Sequence, residues 1–215
     1  MKDWEQIYKE EGPVQIEPSE KIVNLVDFFK KEKVKKILDH GCGTGRHVKY
    51  LAEQGFNVIG TDYSEKALQH AKLLTSGLDN VELIQTDMDS IPYKDGVFDA
   101  IISNHVIQHA LKAKMDKTFY EIERALKDNG LLFMSTISRK HRVYGKGWQI
   151  EAHTFIDIPE LPDGKTPHHY FSEEELRKYL SRYEIIKLEH NSYPPDPDGF
   201  WKHGLEEWVL LARKI

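Results

Sequence analysis

The sequence predicts an α/β fold. Three observations carry that reading. An apolar run, Lys35-Lys36-Ile37-Leu38-Asp39, breaks into a turn with glycines at every second position (Gly41, Gly43 and Gly45), and an amphipathic segment starts at Arg46. The same strand-then-helix alternation recurs along most of the chain. Each of the first three apolar strands runs into an acid: Asp39, Asp62 and Asp87. Ligands of open α/β sheets sit outside the carboxyl ends of the strands, so three acids placed there form a constellation that points to one binding site.

In chain order, residues 1–18 carry Trp4 and Tyr8 among charges and read as a short helix with an irregular connection. From Ser19, a candidate N-cap, Ile22, Val23, Val26 and Phe29 recur at helical spacing. After the strand at 35–40 and the glycine turn, a helix with Val48, Leu51 and Ala52 inward closes at Gly55. Phe56 to Asp62 is the second strand, and Ser64 caps the helix that follows. Val81 to Met88 is the third strand. Val97 to Ser103 is the fourth, residues 114–127 read as a helix, and Gly130 to Ile137 is the fifth strand. Ser172-Glu173-Glu174-Glu175 opens a helix as a capping box, and strands at 183–190 and 205–213 close the chain. Pro194 to Gly199 reads as a rigid loop without an assignable motif.

Between about 138 and 171 the periodicity fails. The stretch is rich in aromatic, basic and proline residues and is too long for an ordinary connection, so it is expected to be functional, as a cap over a pocket.

Asp39-His40-Gly41-Cys42-Gly43-Thr44-Gly45 resembles the glycine-rich first motif of class I S-adenosylmethionine-dependent methyltransferases, acid-x-G-x-G-x-G. A dinucleotide fingerprint would need a third glycine where this chain has Arg46, which obstructs close approach of the helix to a pyrophosphate. The resemblance covers residues 20–137 and, by architecture, 172–213. It implies a Rossmann-like seven-stranded, mostly parallel sheet with an antiparallel last strand and helices on both faces. It also implies a methyl transferred from S-adenosyl-L-methionine by in-line displacement. Asp39 would orient the cationic methionine end, Gly41 and Gly43 would allow close approach, Asp62 would bind ribose, and Asp87 with the Met88 amide would read adenine. Cys42, Tyr63 and Asn104 complete the expected cofactor contacts. Asn104 to His109 would face the transferable methyl, with His105 as candidate general base, since neutral imidazole is available near pH 7. His109, Tyr144, Trp148, His168, His169 and Tyr170 are the candidate acceptor contacts.

Composition bounds these expectations. A chain of 215 residues with 40% hydrophobic and 30% charged content is expected to form a single domain, 1–215, with residues 1–18 as a lid and 138–171 as an acceptor cap. The charged start and the lack of an apolar run of ~20 residues point to a cytoplasmic protein. The lone cysteine, Cys42, excludes an internal disulfide. No metal is expected, because neighbours such as His168 and His169 on an extended segment point apart. The net charge of -5 gives no field to attract a polyanion, and a small molecule is the leading acceptor. RNA or protein is the runner-up, motivated by Arg139, Lys140, Arg142 and Lys146. A cofactor-binding partner subunit without turnover is the alternative from another class.

Overall fold

The computed structural model describes residues 2–195 and 202–215. The expected loop Pro194 to Gly199 therefore lies mostly outside the described residues. The elements run α1 (Trp4–Glu11), α2 (Glu20–Val23), α3 (Val26–Lys31), β1 (Lys36–His40), α4 (Arg46–Glu53), β2 (Asn57–Asp62), α5 (Glu65–Leu74), β3 (Val81–Gln85), β4 (Phe98–Asn104), α6 (Lys112–Ala125), β5 (Leu126–Ile137), β6 (Trp148–Glu151), β7 (Thr154–Ile156), β8 (His168–His169), α7 (Glu173–Tyr179), β9 (Tyr183–Tyr193) and β10 (Leu205–Lys214).

Seven strands form one sheet in the order β3-β2-β1-β4-β5-β10-β9. Neighbours from β3 to β5 pair in parallel, and β10 runs antiparallel to both β5 and β9. The predicted architecture, including the antiparallel last strand, is the one formed. Both faces of the sheet are buried, and the two-residue strand period shows it. Ile101, Leu132, Met134, Trp208 and Leu210 point into one core layer with α6 and α7. Ala100, Ile102, Leu131, Phe133, Val209 and Leu211 point into the other with α3 and α4.

Two features position the site. From β1 the chain winds outward through β2 to β3, whereas β4 and β5 lie on the other side, so strand order reverses between β1 and β4. A crevice opens outside such a switch point. The loops after β1 and β4 flank it so closely that a Cβ at Gly41 would fall 2.4 Å from Val106 Cγ2. Gly41 also has φ +73°, a left-handed conformation that only glycine adopts without strain.

Local differences from the sequence reading have simple causes. The single helix expected from Ser19 is two, because the Leu25 amide donates to the Ile22 carbonyl at 3.1 Å, a three-residue step that tightens one turn and ends α2. Residues 105–110 form a turn instead of a helix start, with His105 at φ 58°. Residues 138–171 fold as a small antiparallel sheet, β6-β7-β8, over a satellite core of Val143, Phe155, Ile158 and Tyr170. Among the described residues no helix is long and apolar enough to cross a membrane.

Candidate functional site

A cavity of about 1000 Å³ lies over the crevice. Its floor is the turn after β1 (Gly41 to Thr44) with Asp62 and Tyr63 after β2 and Asp87 and Met88 after β3. Helix α1 covers this end with Trp4, Ile7 and Tyr8. The Ser64 hydroxyl, which also caps α5, donates to the α1 carboxylate Glu5 at 2.5 Å and so ties the helix down. The far end is walled by Asn104, His105, Val106, Gln108 and His109, by Ile137 and His141, and by residues 159–163, Thr166, His168 and Tyr170.

At the floor, hydrogen bonds fix the acids. Asp62 accepts the Gly43 amide on Oδ2 at 2.8 Å and the Ser64 amide on Oδ1 at 2.9 Å. These bonds pin the carboxylate with lone pairs to spare, and burial raises its affinity for a proton despite them. Asp87 accepts the Met88 amide at 2.7 Å and pairs with Lys114 at 2.6 Å. The Met88 amide expected to serve an adenine ring nitrogen is thus held by its own neighbour. Asp39 does not line the cavity. It is buried, its Oδ2 has no hydrogen-bond partner, and burial lifts its carboxyl from 3.8 to about 7, opposed by the charge of Arg46 on the cavity wall. Burial also pushes the Cys42 thiol well above its ordinary range, so it remains protonated and non-nucleophilic.

At the far end a polar relay was not legible in the sequence. His105 Nε2 lies 2.7 Å from Glu207 Oε2, and Glu207, fully buried on β10, is 2.6 Å from Lys21 Nζ on α2. A carboxylate accepts, so Nε2 carries the proton and Nδ1 holds the lone pair. Nδ1 faces the Gln108 amide nitrogen at 3.3 Å, and the Gln108 oxygen accepts from the Thr136 hydroxyl at 2.9 Å. Burial holds the His105 imidazole below its usual range even though Glu207 raises it. Asn104 accepts from the Ser135 hydroxyl at 2.8 Å. Among the described residues, five buried polar atoms of residues on this wall have no hydrogen-bond partner: His109 Nδ1, His141 Nε2, Glu160 Oε2, Thr166 Oγ1 and Tyr170 Oη.

A methyltransferase-domain family matches residues 38–134. The ubiquinone biosynthesis O-methyltransferase of Bartonella bacilliformis is 30% identical over 188 residues, 84% of this chain and 73% of that one. The chain belongs to the S-adenosylmethionine-dependent methyltransferases. Another relative, YqeM of Bacillus subtilis, is 39% identical over 105 residues, but the chain spans only 42% of its length. Among solved structures, a Methanosarcina mazei methyltransferase superposes with TM-score 0.71 at 23% identity, covering 84% of this chain and 92% of that one. A Burkholderia thailandensis 1,6-didemethyltoxoflavin N1-methyltransferase, solved with its substrate and S-adenosylhomocysteine, gives 0.67 at 18%, covering 90% and 78%.

S-adenosyl-L-methionine is the cofactor of this methyltransferase, and its residues fit that cationic nucleoside. Asp39, one oxygen of which has no hydrogen-bond partner among the described residues, leads into a turn where Gly41 and Gly43 carry no Cβ, and Asp62 and Asp87 stand at the ends of adjacent strands. Of the expected acceptor contacts, His109, His168 and Tyr170 line the cavity and three do not. Trp148 is 73% exposed on β6 because that edge faces solvent. Tyr144 turns into the satellite core against His153, Phe155 and Tyr170. His169 leaves β8 on the side opposite His168 and bonds Thr154 at 2.8 Å and Glu175 at 3.0 Å. His40 was also missed; its buried ring bridges Ser103 Oγ at 3.2 Å and the Met88 carbonyl at 2.8 Å, locking the loop after β3 to β1 and β4.

Proposed function

We propose that the methyltransferase acts on a polar small molecule held in the far end of the cavity. The observation that carries this reading is the set of five unpartnered polar atoms there. Buried polar groups are nearly always hydrogen-bonded, so five on one wall match the donors and acceptors of a ligand. The Bartonella relatives are named as ubiquinone biosynthesis O-methyltransferases, which agrees with a small oxygen acceptor.

The cofactor supplies an electrophilic methyl on a sulfonium. The chain's own residues then have to bind, align and exclude water. Asp39, through the turn, favours the cationic methionine end; Gly41 and Gly43 allow close contact; Asp62 takes the ribose hydroxyls; Asp87 takes the adenine amino group. Met88, Cys42, Tyr63 and Asn104 complete the wall. Helix α1 acts as the lid and residues 138–171 as the acceptor cap of a single domain. His105 is the general base, receiving the acceptor's proton on Nδ1 while Glu207 stabilises the resulting imidazolium from Nε2.

Two of the four basic residues that favoured RNA are paired with carboxylates, Arg139 with Glu175 at 2.8 Å and Lys146 with Glu160, and Arg142 donates to His203 at 2.9 Å, whereas no such pairing holds Lys140 among the described residues. That ties up half of the basic patch. The test begins with calorimetric titration of S-adenosylhomocysteine, with NAD as control. Radiolabelled methyl donor is then offered with small phenols, thiols and amines, and separately with RNA and with protein. Label entering small molecules supports the reading; label entering only RNA or protein overturns it. A His105→Ala enzyme as fast as wild type would remove His105 from the chemistry.

A further inference from the structure

The sequence reading expects no metal, and the His168 and His169 rings leave β8 on opposite sides. A different set of donors nevertheless meets on the far wall of the cavity. His109 from the turn after β4, Asp163 from the loop between β7 and β8, and His168 from β8 offer three ligand atoms within 4.8 Å of one another. His168 Nε2 is 3.1 Å from Asp163 Oδ2, and His109 Nδ1 is 3.7 Å from the same oxygen. Donor atoms around a four-coordinate ion with bonds near 2.0–2.1 Å lie about 3.4 Å apart, so the two spacings bracket that value.

The orientation of the rings is the stronger argument. His168 Nδ1 is 2.8 Å from the Thr166 carbonyl, which can only accept, so that nitrogen carries a proton. The Pro167 carbonyl accepts from the His109 ring, and among the described residues His109 Nδ1 has no hydrogen-bond partner. Each ring thus spends one nitrogen on a backbone carbonyl and aims the other at the same carboxylate oxygen. This is the outer-shell arrangement that fixes the tautomer of metal-ligating histidines. A second proton on His168 would satisfy Asp163 as an ion pair. It would still leave the lone pair of His109 facing an oxygen that can only accept. One cation between the three satisfies them all.

We propose that His109, Asp163 and His168 form a mononuclear site for a borderline divalent cation such as Zn²⁺, with its open coordination positions facing the cavity. Two imidazoles and one carboxylate suit Zn²⁺, Co²⁺ or Fe²⁺ rather than Mg²⁺ or Ca²⁺. The role of the ion rests on the methyl-transfer reading. An acceptor hydroxyl or thiol that coordinates it loses its proton to solvent or to a nearby base such as His105. The resulting oxygen or sulfur lone pair forms the new bond to the methyl carbon, and the carbon–sulfur bond breaks with its electron pair returning to sulfur. No oxidant or reductant is needed.

The test titrates Co²⁺ into chelator-treated full-length protein and follows the visible absorption that a four- or five-coordinate ion produces; Zn²⁺ competition then gives its affinity. One equivalent should bind, and Asp163→Asn and His109→Gln should each weaken it at least tenfold. Because Asp163→Asn disturbs the His168 pair, folding is monitored through S-adenosylhomocysteine binding. His109→Gln also removes the ring that donates to the Pro167 carbonyl and packs edge-on against Trp4 and His168, so its folding is monitored in the same way. Failure of wild type to bind Co²⁺, or equal binding by wild type and His109→Gln, overturns the site. Loss of S-adenosylhomocysteine binding by metal-free wild type would instead overturn the cofactor assignments, so the two failures are distinguishable.

Discussion

The Asp39 carboxyl gives the sharpest test of how the turn recognises its ligand. In the free protein burial holds it at about 7, and its Oδ2 has no partner, so near neutrality about half the molecules carry a proton there. A cationic amino group seated on the turn favours the ionised form and expels that proton. Linkage fixes the sign: binding weakens as pH falls through the free-state value, because protons then compete with the ligand. If the bound-state value drops well below 6, affinity at pH 6 is about tenfold weaker than at pH 8, which is about 1.4 kcal/mol. Titrating S-adenosylhomocysteine in buffers of different ionisation enthalpy measures the same event directly, as about half a proton released per molecule bound at pH 7. Asp39→Asn should bind with an affinity independent of pH over this range and release no proton. A wild-type affinity that is flat from pH 6 to pH 8, with no proton released, would refute the coupling and remove Asp39 from cofactor recognition.

Glu207→Gln keeps the shape of the relay and removes its charge. Glu207 raises the His105 imidazole, so the acidic limb of the kcat profile should move to lower pH while kcat falls by about tenfold or more. Loss of the partner of a buried pair should also lower the unfolding free energy, by less than the roughly 3–5 kcal/mol typical of full burial because Lys21 is partly solvated. Asp62→Ala should weaken S-adenosylhomocysteine at least tenfold, since it strips a carboxylate that also holds the Gly43 and Ser64 amides; unchanged affinity would sink the ribose assignment. Gly41→Ala meets Val106 and a positive φ together, for a cost of about 2–5 kcal/mol by thermal or urea unfolding. Adding Val106→Ala should recover the packing part of that loss and leave the backbone part.

How much of this was legible in the sequence follows from the range of each interaction. The three acids and the turn are local signals, because a strand end and a tight turn are written in consecutive residues, and they come together wherever a parallel sheet forms. The strands inside the expected cap were not, since β6, β7 and β8 are four, three and two residues long, too short for an alternating pattern to register. Glu207 left a trace that could have been read. It shares its strand phase with Val209 and Leu211, whose side chains enter a buried layer, so a charged residue there needed a buried partner; Lys21 and His105 are those partners. Nothing comparable marked the histidine cluster. His109 and His168 are neighbours where the Gln108 carbonyl accepts the His169 amide at 2.8 Å, stitching β8 to the turn after β4. Strand alternation then sends His169 toward Thr154 and His168 toward the cavity. The adjacent histidines that argued against a metal are therefore what delivers one of them to it.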